Sequence, residues 1–177
     1  MKLKRETEGE QKVLGYLLDY PSRGVSQTEI RQALELSASS VSVILDRLVD
    51  KFDWIIDERV GNTYQYKVDL ANPVARQYKK VRTVEWLWPM VKKLEVISRR
   101  VILFGSAKEG RNTEESDIDL LVETGDKEGV REVVGSFKGL LVQVMIKTVE
   151  ELGQLREEDS VFYEEAVERG EVLWQQG

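Results

Sequence analysis

The chain has 177 residues and a net charge of −6, with 41% apolar and 33% charged residues and neither cysteine nor histidine. That length suits one compact domain or two small ones, and that composition can supply real cores beneath a well-solvated surface. Disulfides, thiol nucleophiles and histidine general bases are excluded and structural zinc is disfavoured, so a bound metal would be held by oxygen, which selects Mg²⁺ or Mn²⁺.

No apolar run approaches the roughly 20 residues that span a bilayer. The start, Met-Lys-Leu-Lys-Arg-Glu, leads into acidic residues and does not read as a signal peptide, so a cytoplasmic protein is expected. Charge is uneven along the chain. Residues 1–70 hold 10 Lys/Arg against 12 Asp/Glu, residues 71–100 hold 8 against 2, and residues 101–177 hold 8 against 18. The basic middle reads either as a footprint for nucleic acid or as the solvated face of a helix.

Residues 6–20 have helical spacing in Val13, Leu14, Leu17 and Leu18, and Pro21 ends the helix. Ser26 with Glu29 forms a capping-box pattern for a second helix, to about Leu34. Ser37 is a cap for a third, from about Ala38 to Phe52, with Val41, Leu45, Leu48, Val49 and Phe52 as its apolar stripe. Trp54-Ile55-Ile56 then reads as a strand and Val60-Gly61-Asn62-Thr63 as a turn. Tyr64, Tyr66 and Val68 alternate with polar residues as a second strand.

Three helices and a hairpin in this order resemble a winged helix-turn-helix domain. The resemblance makes the third helix a recognition helix, with Ser39, Ser40, Ser42 and Arg47 facing outward and Arg59, Asn62 and Lys67 on or near the wing. It implies contact with double-stranded DNA. Winged helices also mediate dimerisation, and the serines are equally suited to a plain helix start.

Ala71-Asn72-Pro73 marks a boundary, with Pro73 suited to a first helical turn. From Val74 the chain reads helical, with Arg76, Lys79, Lys80 and Arg82 on its exposed side. Pro89 is expected to kink or divide it, and Met90, Val91, Leu94 and Ile97 continue a second stretch. Trp86 and Trp88 cannot share one helical face, so one is expected to pack on another domain or on a partner subunit, making a homodimer a reasonable expectation.

Val101-Ile102-Leu103-Phe104 reads as a buried strand, followed by Gly105-Ser106 and a polar stretch. Ser116-Asp117-Ile118-Asp119-Leu120-Leu121-Val122 reads as the next strand, Lys127–Phe137 as a helix, and Leu140–Ile146 as a third strand. Asp117 and Asp119, two apart in a strand, would share a face, and paired carboxylates call for a compensating cation. A hard divalent cation suits both that need and phosphoryl transfer. An Asp-x-Asp alone is also ordinary turn chemistry, but the full order of strand, Gly-Ser, spacer, Asp-Ile-Asp and apolar run is more specific. Further on, Thr148 with Glu151 makes another capping box, a helical segment covers Ser160 to Val167, Gly170 stops it, and Val172-Leu173-Trp174 forms a short strand.

Residues 101–122 resemble the signature of the nucleotidyltransferase superfamily typified by DNA polymerase beta, and its minimal prokaryotic branch in particular. A weaker likeness extends over about 95–174. The resemblance implies that Gly105 and Ser106 begin a short helix holding the phosphates of a nucleoside triphosphate. It also implies that Asp117 and Asp119 bind Mg²⁺ or Mn²⁺ as the catalytic pair. Lys108 and Arg111 are nearby candidates for compensating phosphate charge. The family pattern asks for a third carboxylate on the later strand, where this chain has Gln143. Glutamine brings neither negative charge nor useful basicity. Glu123 and Glu109 are the candidate substitutes.

The expected fold class is therefore α+β: a winged helix-turn-helix domain over 1–70, a connecting helical segment over 71–98, and a polymerase-beta-like nucleotidyltransferase domain over 99–177 with a mixed sheet and flanking helices. The expected function is a DNA-binding transcriptional regulator whose degenerate nucleotidyltransferase-like domain binds nucleotide and a divalent cation. The alternative is an active transferase that moves a nucleoside monophosphate to a protein, RNA or small molecule. In that case it could be an antitoxin component paired with a small helical toxin-like protein, as the minimal branch suggests.

Overall fold

A computed structural model describes residues 6–137 and 141–177. The Met1–Arg5 start and Leu140 lie outside those residues. The chain divides between Lys79 and Lys80 into two compact units. It is an α+β protein with two separate sheets. Among the described residues, no helix is long and apolar enough to cross a membrane.

The first unit is built from α1 (Glu8–Asp19), β1 (Val25–Ser26), α2 (Gln27–Leu34), α3 (Ala38–Lys51), β2 (Ile55–Val60) and β3 (Thr63–Val68). Each helix starts where a side-chain oxygen can take an orphan backbone N–H. Thr7 and Glu10 form a reciprocal capping box on α1, Ser26 accepts from the Glu29 amide, and Ser37 accepts from the Ser40 amide. Glu29 also receives the Arg23 guanidinium.

The sheet order is β1-β3-β2, all antiparallel. The two-residue β1 carries no periodic signal of its own and forms only by pairing with Tyr66 and Gln65. Gly61, at φ +61°, closes the β2–β3 turn in the left-handed region that glycine tolerates. Val13, Leu17, Ile30, Val41, Leu45, Leu48 and Trp54 form one buried cluster. Fully burying each aliphatic side chain among them contributes about 1.5–3 kcal/mol.

Helix α4 (Pro73–Leu94) runs unbroken through 22 residues with Pro89 inside it. Asn72 Oδ1 accepts from the Val74 amide at 2.8 Å, and Pro73 takes the first-turn position where no amide is needed. Of the two expected outcomes at Pro89, a kink or a division, the division does not occur. The apolar residues on both sides, Leu87, Met90, Val91 and Leu94, all enter one core, and that burial outweighs one lost helical hydrogen bond. The expectation of Lys79 on an exposed side is also overturned. Lys79 is buried and its ammonium donates to the Leu18 carbonyl at 2.9 Å. Trp86 and Trp88 both remain about two-fifths exposed, under Arg82 and Lys92 respectively.

The second unit adds β4 (Arg100–Phe104), α5 (Gly105–Lys108), β5 (Ile118–Glu123), α6 (Lys127–Gly135), β6 (Val142–Lys147), α7 (Val149–Glu158), α8 (Ser160–Tyr163), a π-helical turn (Glu164–Glu168) and β7 (Glu171–Gln175). The sheet order is β6-β5-β4-β7, with β5 and β6 parallel and the other pairs antiparallel. Alternation sends side chains to two cores. Ile118, Leu120 and Val122 pack with α4 and Val130 of α6. Ile102 and Leu121 pack with Leu152, Ala166 and Val167 on the other face. The second face carries the site.

Candidate active site

Strand β4 ends at Phe104, and Gly105 opens α5 with φ +67°. An alanine Cβ at Gly105 would stand 2.5 Å from Asp119 Oδ2. Glycine suits the left-handed backbone, and a Cβ here would turn the Asp119 carboxylate aside. Ser106 is exposed at the start of α5, and its carbonyl accepts from the Arg111 amide at 2.9 Å, which folds the following loop back on it. Asn112, a buried residue without a sequence signal, accepts from Thr83 Oγ1 at 3.4 Å and ties that loop to α4.

Asp119 lies inside β5, opposite Phe104 on β4 and opposite Gln143 on β6. The three form one row across the sheet, on the face of Leu121 and Met145. Asp117 stands exposed just before the first residue of β5, rather than within the strand. Asp119 is half-buried. Burial first, and then the negative charge of Asp117, push its carboxyl above the usual aspartate range. The pair is thus a seat where a cation would remove an electrostatic cost.

Gln143, where a third acid is expected, is exposed and sits opposite Asp119 in the β5–β6 register. The other acids do not replace it. Glu123 ends β5 four residues from Asp119, roughly 13 Å along the strand, and is paired with Arg100. Glu109 is exposed and paired with Arg111 at 2.9 Å. Among the described residues, no three carboxylates come together as a metal-binding group. Asp119 and Gln143 are register partners and Asp117 lies two residues before Asp119, so a cation held here would find two carboxylates and one amide oxygen.

The two basic candidates point to other tasks. Lys108 donates to Glu165 at 3.3 Å and to the Arg169 carbonyl at 3.1 Å, locking α5 to the π-helical turn. Arg111 is exposed beside Glu109. Neither is drawn to the aspartate pair.

In the first unit, Ser39 and Ser40 are exposed, but the Ser37 hydroxyl engages both, at 3.1 Å and 2.7 Å. Arg47 is exposed and 3.5 Å from Glu10. Ser42 and Asn62 line one cleft between α3 and the hairpin. Arg59 Nε donates to the Gly61 carbonyl at 3.3 Å. Lys67 pairs with Glu58 at 3.6 Å, on the hairpin face opposite Tyr64 and Tyr66.

The fold and the close packing of Gly105 against Asp119 stand beside a match at the level of the family. The model of the nucleotidyltransferase domain family matches residues 82–172, just over half the chain, and the protein belongs to that family. A crystal structure of a Sulfolobus solfataricus protein with a provisional nucleotidyltransferase name is 18% identical, covering 61% of this chain and 94% of its own. Its TM-score of 0.42 is too low to support inference. No curated protein matches the chain.

Proposed function

We propose that this protein is a DNA-binding regulator in which a winged helix-turn-helix domain is joined to a nucleotidyltransferase-fold domain that binds nucleotide but has lost most or all transfer chemistry. The observation that carries this reading is the pairing of Asp119 with Gln143 across β5 and β6. Asp117 and Asp119 would hold one divalent cation, which supplies positive charge at a triphosphate. Gly105 lets the backbone come close, and the Ser106 hydroxyl can donate to a phosphate oxygen. Gln143 can orient a group by its amide, but it cannot take a proton from an acceptor hydroxyl. Binding and orientation are retained and acceptor activation is missing.

The helix-turn-helix half of the reading is supported by the order of three capped helices and a β2–β3 hairpin. Ser39, Ser40, Ser42 and Arg47 on α3, with Arg59, Asn62 and Lys67 on the hairpin, are the proposed DNA contacts. A cytoplasmic homodimer through the exposed Trp86 and Trp88 accompanies it. Sedimentation of the Trp86→Ala, Trp88→Ala double variant tests the dimer; an unchanged association state removes the tryptophans from it.

The second reading is an active transferase, acting on a protein, RNA or small molecule, with a toxin-like partner among the protein acceptors. The close fit of Gly105 to Asp119, kept beside Asp117, favours it. One experiment divides the two: incubation with each α-labelled nucleoside triphosphate and Mg²⁺ or Mn²⁺, reading both bound and incorporated label. Regulation predicts metal-dependent binding, lost in Asp119→Asn, without incorporation. Incorporation that Asp119→Asn abolishes establishes the transferase, and absence of nucleotide binding sinks both.

A further inference from the structure

The first unit contains a cleft of about 540 Å³ between the start of α2, helix α3 and the β2–β3 hairpin. That volume is in the range of small-molecule sites. Asp46 comes from α3 and Asp57 from β2. Neither carboxylate has an ion-pair partner among the described residues, although Lys67 and Arg59 are close in sequence. Lys67 points to the other hairpin face toward Glu58, and Arg59 Nε is held by the Gly61 carbonyl.

A second observation is independent of the acids. Tyr66, the cross-strand partner of Asp57, is 9% exposed, and its hydroxyl has no hydrogen bond among the described residues. Among the described residues, every hydrogen-bonding side-chain atom fully cut off from solvent has a partner, so this hydroxyl keeps some access to solvent, and Tyr66 lines the cleft. Burial, then the charges of Asp46 and Asp57, hold its phenol above the ordinary range. Tyr64, about half exposed, presents its ring at the rim.

We propose that this cleft binds an organic cation carrying an amine or guanidinium group. Its charge would be met by Asp46 and Asp57, its N–H by the Tyr66 hydroxyl, and its carbon body by Tyr64. Charged donors to carboxylates make the strong class of hydrogen bond, and an aromatic face adds attraction for a cation. A metal ion fits less well. Among the described residues no three-acid group is formed, and the space is that of a molecule rather than an ion.

The cleft has a regulatory consequence that rests on the helix-turn-helix reading. Ser42 and Asn62 line it, so its two carboxylates sit within the surface proposed to meet DNA. An empty cleft repels phosphate there, and a filled one does not.

Calorimetric titration of the full chain with agmatine and putrescine tests the site without DNA, with 1,4-butanediol as the uncharged control. Saturable binding of an amine, none of the diol, and weakening by about tenfold in Asp46→Asn and in Asp57→Asn are expected. Tyr66→Phe keeps the ring's packing and should weaken binding while leaving the melting temperature in place. A blocked lysine or arginine peptide, titrated alongside, assigns the cation's source: tighter binding of the peptide points to a protein side chain, and tighter binding of the free amine to a metabolite. Absence of saturable amine binding, amine binding unchanged in the two asparagine variants, or displacement by equal Mg²⁺ overturns the site. In a separate arm, agmatine should raise affinity for duplex DNA. Amine binding intact with no duplex binding leaves the site standing and sinks the helix-turn-helix reading.

Discussion

At Gly105 two physical demands meet in one atom's worth of space. The left-handed backbone costs an L-residue about 1–2 kcal/mol, and the missing Cβ is where Asp119 Oδ2 lies. Gly105→Ala should therefore lower stability by at least about 1 kcal/mol in chemical denaturation and abolish metal-dependent nucleotide binding, since the carboxylate must move. Asp119 itself is a group whose charge the fold resists. Its folded-state pKa is raised above the ordinary 3.8, so stability is complete below that value and is lost as pH rises through the folded pKa. Asp119→Asn should thus melt higher than the native protein at neutral pH without divalent metal. The difference should shrink toward zero on acidification, and a variant that melts lower at neutral pH would contradict the origin of the shift. Gln143→Asp completes the acid set on the facing strand. It should tighten Mn²⁺ binding by about tenfold or more, because the site gains a full charge at a hard cation. Paramagnetic relaxation titration reads this directly, and unchanged affinity would place residue 143 outside the metal's reach.

At the scale of elements, the spacing of apolar residues and the capping residues located the helices. Ser26, Ser37 and Thr148 each cap the helix they precede. Such signals are legible because they act over three or four residues. Ser37→Ala should cost about 1 kcal/mol, read by urea denaturation, and should also free Ser39 and Ser40 from the hydroxyl that holds them. What local signals missed depends on partners distant in sequence. Strand β1 has two residues and is a strand only because β3 lies beside it. Helix α4 crosses Pro89 because one core takes residues on both sides. Asp117 falls outside β5, although an alternating pattern puts it inside.

Across the whole molecule, charge is the property most altered by folding. The stretch 71–100 is strongly basic as a sequence, yet much of that charge is spent internally. Lys79 is buried on a carbonyl, Lys80 pairs with Glu171, Lys92 with Glu95, and Arg100 with Glu123. A duplex bound by this protein should therefore release few counterions. The slope of log affinity against log salt should be shallow, on the order of −2 to −4 for a handful of phosphate contacts. It should flatten further in a triple charge reversal at Arg47, Arg59 and Lys67; an unaffected slope would remove those residues from the interface. The sequence by itself determined the α+β class, the capped helices, the absence of thiol and imidazole chemistry, and the Gly-Ser and Asp-x-Asp elements of the proposed nucleotide site, because these are properties of residue type and short spacing. Only the tertiary structure decided that Gln143 faces Asp119, that Lys108 and Glu123 are engaged elsewhere, and that Asp46, Asp57 and Tyr66 share one cleft. Those are facts of strand register and packing, set by residues far apart along the chain.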